Sequence, residues 1–259
     1  MTTDASPLLA VSNLSKYYGR YVGCRDVTFD LHSGEVLAVV GESGSGKSTL
    51  LGCVAGLLGP SSGRVLFDST EGPVDLCRCS EVRRRQILRS EMGIVHQNPR
   101  DGLRLNISAG GNIGERLMAN GWRHYGRIRE AALRWIERVE IDAARLDDLP
   151  QTFSGGMQQR LQVARSLVTR PRIVFMDEPT SGLDVSVQAR LLDVLRRLVG
   201  ELALSLVFVT HDLGVARLLA HRMMVMQRGR VIETGLTDQV LDDPQHPYTQ
   251  LLVSSILRN

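Results

Sequence analysis

The residues whose types and spacing suggest chemistry most directly form one glycine-rich segment. Gly41-Glu42-Ser43-Gly44-Ser45-Gly46-Lys47-Ser48 fits the pattern G-x-x-x-x-G-K-[ST], and Thr49 follows it. Glycines permit the backbone angles that aim successive N–H groups at phosphate oxygens, and a helix N-terminus adds partial positive charge. The lysine suits the β and γ phosphates of a nucleotide, and the serine hydroxyl suits Mg²⁺. The segment therefore predicts a phosphate-binding loop.

A second candidate is the acidic pair Asp177-Glu178, which follows the short apolar run 173–176. A carboxylate at the end of a buried strand can hold a Mg²⁺ shell, while its neighbour polarises an attacking water. Such a pair is common and by itself says little. Together with a phosphate-binding loop upstream, it predicts hydrolysis of a nucleotide phosphate.

These residues need a framework of alternating strands and helices. Residues 8–40 alternate apolar and polar positions around turn signals, which predicts an antiparallel layer that leads into a buried strand at 36–40. A helix is predicted from the loop to about Leu58, and hairpin strands at 223–226 and 230–233. Ser154 is predicted to cap a helix over 157–169, ahead of a buried strand at 173–176.

The expected fold class is therefore α/β. It has a P-loop NTPase core with a mostly parallel sheet, an antiparallel β subdomain and an inserted helical subdomain. The region from Arg100 to about Pro150 is mostly 3.6-periodic, which indicates helices. We expect one domain over residues 1–259, with the helical subdomain at about 100–155 and a C-terminal tail at about 236–259.

Composition limits the classes of protein that remain. Hydrophobic residues make up 43% of the chain and charged residues 23%, which is typical of a globular protein. No apolar run approaches the roughly 20 residues that cross a bilayer, and no basic segment precedes an apolar core at the N-terminus. We expect a cytoplasmic protein with no direct membrane insertion and no nucleic acid partner. Four cysteines suggest reduced thiols, and Cys77-x-Cys79 is only a weak metal motif.

Charge is distributed unevenly along the chain. The net charge is +3, yet residues 78–138 hold thirteen arginines and six acidic residues, a local excess of +7 that leaves −4 elsewhere. This Arg-rich segment is either a solvated helical surface or a docking face for an acidic partner, and clustered charge alone does not choose between them.

A third motif, Phe153-Ser154-Gly155-Gly156-Met157-Gln158, lies between the loop and the acidic pair. With GESGSGKST, Gln97, IVFMDEP, residues 181–184 and residues 210–212, it forms a set that resembles the ATP-binding-cassette ATPases over nearly the whole chain. The resemblance implies ATP and Mg²⁺ as cofactors and hydrolysis in a dimer, most simply a homodimer. The signature of one subunit would complete the ATP site of the other.

The resemblance also implies a role for each site residue. Tyr18 would stack on adenine, the alternative being an ordinary half-buried strand aromatic. Gln97 would contact Mg²⁺ and the lytic water, and His211 the γ-phosphate. The full implied set is catalytic Lys47, Gln97, Glu178 and His211; nucleotide-binding Tyr18, Gly41, Glu42, Ser43, Gly44, Ser45, Gly46, Lys47, Ser48, Thr49, Ser154, Gly155 and Gly156; and Mg²⁺-binding Ser48, Gln97 and Asp177.

One position departs from the usual signature, in which glutamine directly follows the two glycines. Here Met157 takes that place and Gln158 follows. Because the serine and both glycines are intact, we expect phosphate binding to persist.

Two stretches bear on what the ATPase drives. Residues 243–252 resemble the tails of peptide and nickel importers, but the cysteine cluster frequent in those importers is missing here. Residues 98–129 instead resemble the ATP-binding subunit of the bacterial carbon–phosphorus lyase system. That resemblance implies docking on the lyase core near its radical iron–sulfur subunit during organophosphonate catabolism. The candidate docking residues are Arg100, Arg104, Arg116 and His124.

An energising subunit of a peptide-type importer is the alternative function. A regulatory module that binds ATP without turnover is a third class, and the presence of Lys47, Glu178 and His211 argues against it.

Overall fold

The computed structural model describes residues 6–256, and the chain packs as two compact units. One unit joins the residues up to Arg84 with those from Ala203 onward, and the other comprises residues 85–202. The strands are β1 (Leu9–Tyr18), β2 (Tyr21–Leu31), β3 (Val36–Val40), β4 (Ser62–Ser69), β5 (Gly72–Asp75), β6 (Met92–Val95), β7 (Ile173–Asp177), β8 (Ser205–Thr210), β9 (Arg222–Gln227) and β10 (Arg230–Leu236). The helices are α1 (Lys47–Val54), α2 (Glu81–Ser90), α3 (Pro99–Gly102), α4 (Ala109–Ala119), α5 (Tyr125–Arg138), α6 (Gly155–Leu167), α7 (Val185–Leu202), α8 (Leu213–Leu219), α9 (Thr237–Asp242) and α10 (Pro247–Ile256), with 3-10 turns at Ala143–Arg145 and Pro150–Thr152.

The first unit contains the predicted antiparallel layer. Its strand order is β2-β1-β4-β5, and each neighbouring pair is antiparallel. Apolar side chains alternate inward along β2, as expected for a sheet with one covered face. The layer therefore confirms the alternation at the N-terminus, while β5 was not predicted because its four residues carry no alternating pattern.

The same unit contains buried parallel strands. β3 lies between β8 and β9 and runs parallel to both, and every residue of β3 and β8 is buried. Such strands read as continuous apolar runs because both faces are covered. β9 and β10 form the predicted antiparallel hairpin. These features confirm the expected α/β class.

Helix α1 is shorter than predicted. The expected end was about Leu58, whereas α1 ends at Val54. Gly56 adopts a left-handed φ of 71°, and the N–H groups of Leu57 and Leu58 both donate to the Gly52 carbonyl. This is the geometry of a helix that ends at a glycine. Gly56 is such a stop signal, but the apolar pattern continues to Leu58 and led to the longer prediction.

The second unit is mostly helical. α4, α5 and α6 pack together, and β6 pairs in parallel with β7. Ser154 caps α6 by accepting a hydrogen bond from the Met157 N–H, as predicted. Within residues 6–256, no helix combines the length and apolar character needed to cross a bilayer.

A buried asparagine shapes the loop that leads into α4. Asn112 is fully buried, and its side-chain oxygen accepts from the Arg104 N–H at 2.8 Å. Its amide nitrogen donates to the carbonyls of Arg104, Ile107 and Ser108 at 2.8–3.1 Å. One side chain thus bonds four backbone groups of the loop, of which the Arg104 and Ser108 carbonyls also accept from backbone N–H groups, and this holds residues 104–108 against α4.

Asn112→Ala should lower the free energy of unfolding by about 2–4 kcal/mol, because buried backbone groups lose their partners. Chemical denaturation with a probe in the second unit measures the change. The exposed Asn106→Ala is the matched control and should change stability by less than about 0.5 kcal/mol. Equal small effects in both variants would contradict the assigned role of Asn112.

Candidate nucleotide-binding and hydrolysis residues

The phosphate-binding loop begins where β3 ends. Lys47 is only 4% exposed, and its ammonium donates to the carbonyls of Gly41 at 2.8 Å and Glu42 at 2.9 Å. Ser43, Gly44 and Ser48 are exposed on the loop. The buried lysine therefore fixes the first two residues of the loop by hydrogen bonds, while the middle of the loop remains accessible to a ligand.

Two glycines of the loop lie too close to other backbone for any side chain. Gly46 has a φ of 103°, and a Cβ there would lie 2.0 Å from the Gly23 carbonyl oxygen. A Cβ on Gly41 would lie 2.3 Å from the Met226 carbonyl oxygen. Glycine at these positions lets the loop pack against β2 and β9, which fixes its path.

The loop offers the chemistry that a phosphate group requires. The hydroxyl of Ser45 is buried, and it has no hydrogen-bond partner among the residues that the structure describes. Gly44 has a φ of 79°, with open space where a Cβ would project. A buried, unsatisfied polar atom beside open backbone is a place where a bound ligand completes the hydrogen bonding.

Tyr18 lies close to the start of α1. The position of a Cβ on Gly23 would be 2.6 Å from the Thr49 methyl and 3.0 Å from the Tyr18 ring. Both side chains therefore cover Gly23. Tyr18 is 47% exposed, which leaves a ring face available for a base, and the Lys16 ammonium lies 5.3 Å from the ring centre. Adenine stacking stays a prediction.

His211 follows the last residue of β8 and is exposed. The next residue, Asp212, caps α8 by accepting from the N–H groups of Gly214 and Val215. The Asp212 N–H in turn donates to the Thr210 hydroxyl at 3.0 Å. The Thr-His-Asp sequence therefore presents the imidazole at a rigid strand-to-helix corner.

In the second unit, the structure brings Gln97 and Glu178 together. The Gln97 amide donates to the Glu178 carboxylate and to the Ser181 hydroxyl, each at 3.4 Å. Glu178 follows Asp177, the last residue of β7, and has a φ of 38°, which is rare for a residue with a side chain. Strain of this kind clusters where a side chain must be aimed. The sequence identified both residues but not their contact.

The signature lies at an exposed helix N-terminus. Ser154 and Gly155 are exposed at the start of α6, whereas Gly156 is buried. A Cβ on Gly156 would lie 2.1 Å from a Val187 methyl, so glycine is required for α6 to approach α7. The N-terminus of α6 thus presents N–H groups and a serine hydroxyl outward, which suits an anion.

The predicted signature includes Gln158, but no contact of the α6 glutamines was predicted from the sequence. Gln158, displaced by Met157 in the signature, donates to the carbonyls of Pro150 and Phe153 and so fixes the turn before Ser154. Gln162 is fully buried and contacts His96 twice, accepting from its N–H at 2.6 Å and donating to its carbonyl at 3.1 Å. Gln159 donates to the same carbonyl at 3.2 Å. The signature helix therefore holds the residue next to Gln97.

The four docking candidates differ in their environments. Arg116 is turned inward, because its guanidinium donates to the carbonyls of Met92 and Leu88, and burial lowers its pKa to about 10. Arg104 is 60% exposed and pairs with Glu115 at 2.7 Å. His124 caps α5, and Arg100 is exposed. Arg116 therefore supports the fold rather than a docking face, which corrects that assignment.

The cysteines form no disulfide among the described residues, where all four are free. The same residues contain no cluster of three or more histidine, cysteine or acidic side chains that could hold a metal ion.

Gln162→Leu should reduce the rate of ATP hydrolysis at least tenfold while the affinity for ADP changes less than twofold. The reason is that the His96 backbone, next to Gln97, loses its partners, whereas the phosphate-binding loop keeps its own hydrogen bonds. Turnover assays and ADP titration measure the two effects. The exposed Gln151→Leu is the control, and equal turnover in both variants would contradict the prediction.

Comparison with known proteins places this chain in a family. The ABC transporter family model matches residues 24–181, and the model for the oligopeptide/dipeptide transporter C-terminal region matches residues 232–259. The chain is 64% identical over 253 residues to the putative phosphonates utilization ATP-binding protein PhnK of Escherichia coli K12, covering 98% of this chain and 99% of that protein.

Further relatives show the same core. The chain is 37% identical to the dipeptide transport ATP-binding protein DppD of Bacillus subtilis, covering 97% of this chain and 77% of the relative. A dimeric structure of the ABC transporter cassette MJ0796 has a TM-score of 0.80 at 28% identity, covering 88% of this chain and 98% of that one. MJ0796 has also been solved as a dimer in a post-hydrolysis state bound to ADP and Pi. The chain therefore belongs to the ABC transporter family and is an ATP-binding, ATP-hydrolysing cassette.

Proposed function

We propose that this cassette works as a dimer in the cytoplasm and serves the carbon–phosphorus lyase complex in organophosphonate catabolism, a role outside transport. The observation that carries the proposal is the 64% identity, over nearly the full length of both chains, to the E. coli phosphonates utilization protein. The match covers 98% of this chain and so spans the segment 98–129, whose sequence led us to favour the lyase system over a peptide importer.

The phosphate-binding loop binds the nucleotide through residues 41–49, and Lys47 neutralises the terminal phosphates. Tyr18 stacks on the base. Glu178 acts as the general base toward the attacking water, with Gln97 beside it at 3.4 Å to orient that water. His211 contacts the γ-phosphate from its strand-to-helix corner.

When Mg²⁺ is bound, its positive charge would offset the negative charge of the nucleotide phosphates. Ser48, Gln97 and Asp177 would hold it, since hydroxyl, amide and carboxylate oxygens are the ligands that this ion takes in proteins. These three side chains are oxygen donors in agreement with that preference.

In the proposed dimer, the signature of each subunit completes the ATP site of the other. Ser154 and Gly155 are exposed, so the N-terminus of α6 is available to a phosphate held by a second subunit. The related cassette MJ0796 forms dimers in both of its solved structures cited above. A lone chain would then contain all motifs but no complete ATP site.

Docking on the lyase core, near its radical iron–sulfur subunit, is assigned to the exposed residues Arg100, Arg104 and His124. Asn112 gives the intervening loop a defined shape, so that Arg104 projects from fixed backbone. ATP-driven closure and reopening of the dimer would then move whatever is attached there.

An importer subunit for peptides remains the second candidate. Residues 232–259 match the oligopeptide/dipeptide transporter C-terminal region, and DppD is 37% identical. Affinity purification from the native host distinguishes the two functions. Co-purification of lyase subunits supports the first, whereas a permease pair without lyase subunits supports the second.

Glu178→Gln should reduce ATP turnover more than a hundredfold and trap an ATP-bound dimer, because the variant keeps shape but loses the base. Phosphate release and size-exclusion chromatography with ATP provide the measurements. Glu137→Gln, an exposed acidic residue of α5, is the control and should retain turnover. Unchanged hydrolysis in the Glu178 variant would remove this residue from its role.

Arg104→Glu should weaken binding to the lyase core at least tenfold while basal ATP hydrolysis stays within twofold. The change places a carboxylate beside Glu115 and reverses the charge offered to an acidic partner. Arg197→Glu is the control, because Arg197 is similarly exposed, pairs with Glu140 and lies outside the Arg-rich segment. If Arg104→Glu lowers binding and turnover equally, Arg104 is an element of the fold instead.

A further inference from the structure

The C-terminal tail is anchored to the first unit at the start of α10. Glu233 of β10 accepts from the N–H groups of Gln245 at 2.8 Å and His246 at 3.0 Å. Burial would raise the pKa of Glu233, but the Thr249 side chain, these two N–H groups and the nearby His246 together outweigh burial and lower the pKa. The His246 ring accepts from the Tyr248 N–H at 3.1 Å. The first turn of α10 is thereby held in one position.

Tyr248, in that first turn, reaches the phosphate-binding loop. Its side chain is 7% exposed, and its hydroxyl accepts a hydrogen bond from the Glu42 N–H at 3.2 Å. The two residues are 206 positions apart in the sequence. The Glu42 carbonyl meanwhile accepts from the Lys47 ammonium at 2.9 Å. Both backbone groups of Glu42 therefore have partners, one of which comes from the tail.

A second contact supports the other end of the loop. The Gly229 N–H, in the turn between β9 and β10, donates to the Ser45 carbonyl at 2.9 Å. The Arg25 N–H donates to the Gly229 carbonyl at 2.7 Å, which ties the turn to β2. The hairpin β9–β10 and helix α10 thus hold the loop at Ser45 and Glu42.

We propose that Tyr248 is a positioning residue for ATP binding: its hydroxyl orders the start of the phosphate-binding loop before the nucleotide arrives. The loop binds phosphate through backbone N–H groups, whose directions depend on the dihedral angles of the residues ahead of them. A loop already held at Glu42 loses less conformational freedom when phosphate binds, so affinity rises without a direct contact. The tail acts on the ATP site of its own chain, whichever partner the cassette serves.

The test is Tyr248→Phe, which removes the hydroxyl and keeps the ring. ADP affinity should fall about fivefold, the loss typical of one neutral hydrogen bond. The KM for ATP should rise by a similar factor while kcat at saturating ATP stays within twofold. Amide hydrogen exchange at residues 42–46 should accelerate without nucleotide and return to the wild-type rate with ADP. Ser254→Ala removes another hydroxyl from α10, one that bonds the Leu251 carbonyl, and should change none of these values.

Unchanged ADP affinity together with unchanged exchange at 42–46 would overturn the proposal. Acceleration of exchange throughout α10 and β10, with no local effect on the loop, would also overturn it and assign Tyr248 to tail packing. If the variant does not fold, amide hydrogen exchange in the wild-type protein still tests the hydrogen bond between Tyr248 and Glu42. The Glu42 amide should then exchange at least tenfold more slowly than the Gly44 amide in the absence of nucleotide, and equal rates would refute the hydrogen bond.

Discussion

A buried ammonium determines the shape of the nucleotide loop. Burying a charge is costly unless hydrogen bonds replace water, and Lys47 meets this requirement by donating to the carbonyls of Gly41 and Glu42. The carbonyls of Gly41 and Glu42 therefore point toward the lysine, and this orientation sets the path of the N–H groups that follow. Everything that fixes β3, Gly41 and α1 also fixes the direction of those N–H groups, so the binding site depends on the packing of the first unit.

In the second unit, side-chain amides instead of a charged group fix the loop backbone by hydrogen bonds. Asn112 satisfies four backbone groups in the loop before α4, and Gln162 satisfies both backbone groups of His96. Gln158 fixes the turn before the signature. Buried amides can donate and accept at once, which lets a single residue hold irregular backbone that helices and strands leave unpaired. Gln97 and the signature serine both follow backbone held in this way.

The sequence predicted much of this architecture because local patterns carry it. Continuous apolar runs indicated β3 and β7, and alternating apolar and polar residues indicated β1 and β2. Ser154 predicted the start of α6. Features without such a pattern were missed or misplaced. β5 and α9 are too short for a periodic signal, and the end of α1 depends on the left-handed angle of Gly56. Arg116 was assigned to the surface by its charge, although its guanidinium satisfies backbone carbonyls inside the unit.

What the sequence determined by itself was the chemistry: a glycine-rich loop suited to phosphate, a carboxylate after a buried strand and a signature typical of the ABC transporter family. Residue type and spacing over short distances suffice for these, since each motif is a single strand-to-helix or strand-to-loop junction. What only the tertiary structure decided was how the junctions are held. The Tyr248 hydroxyl meets the Glu42 amide across 206 positions, and Gln162 meets His96 across 66. Such contacts produce no periodic pattern in the sequence, because they depend on which distant segments pack against each other in the folded chain.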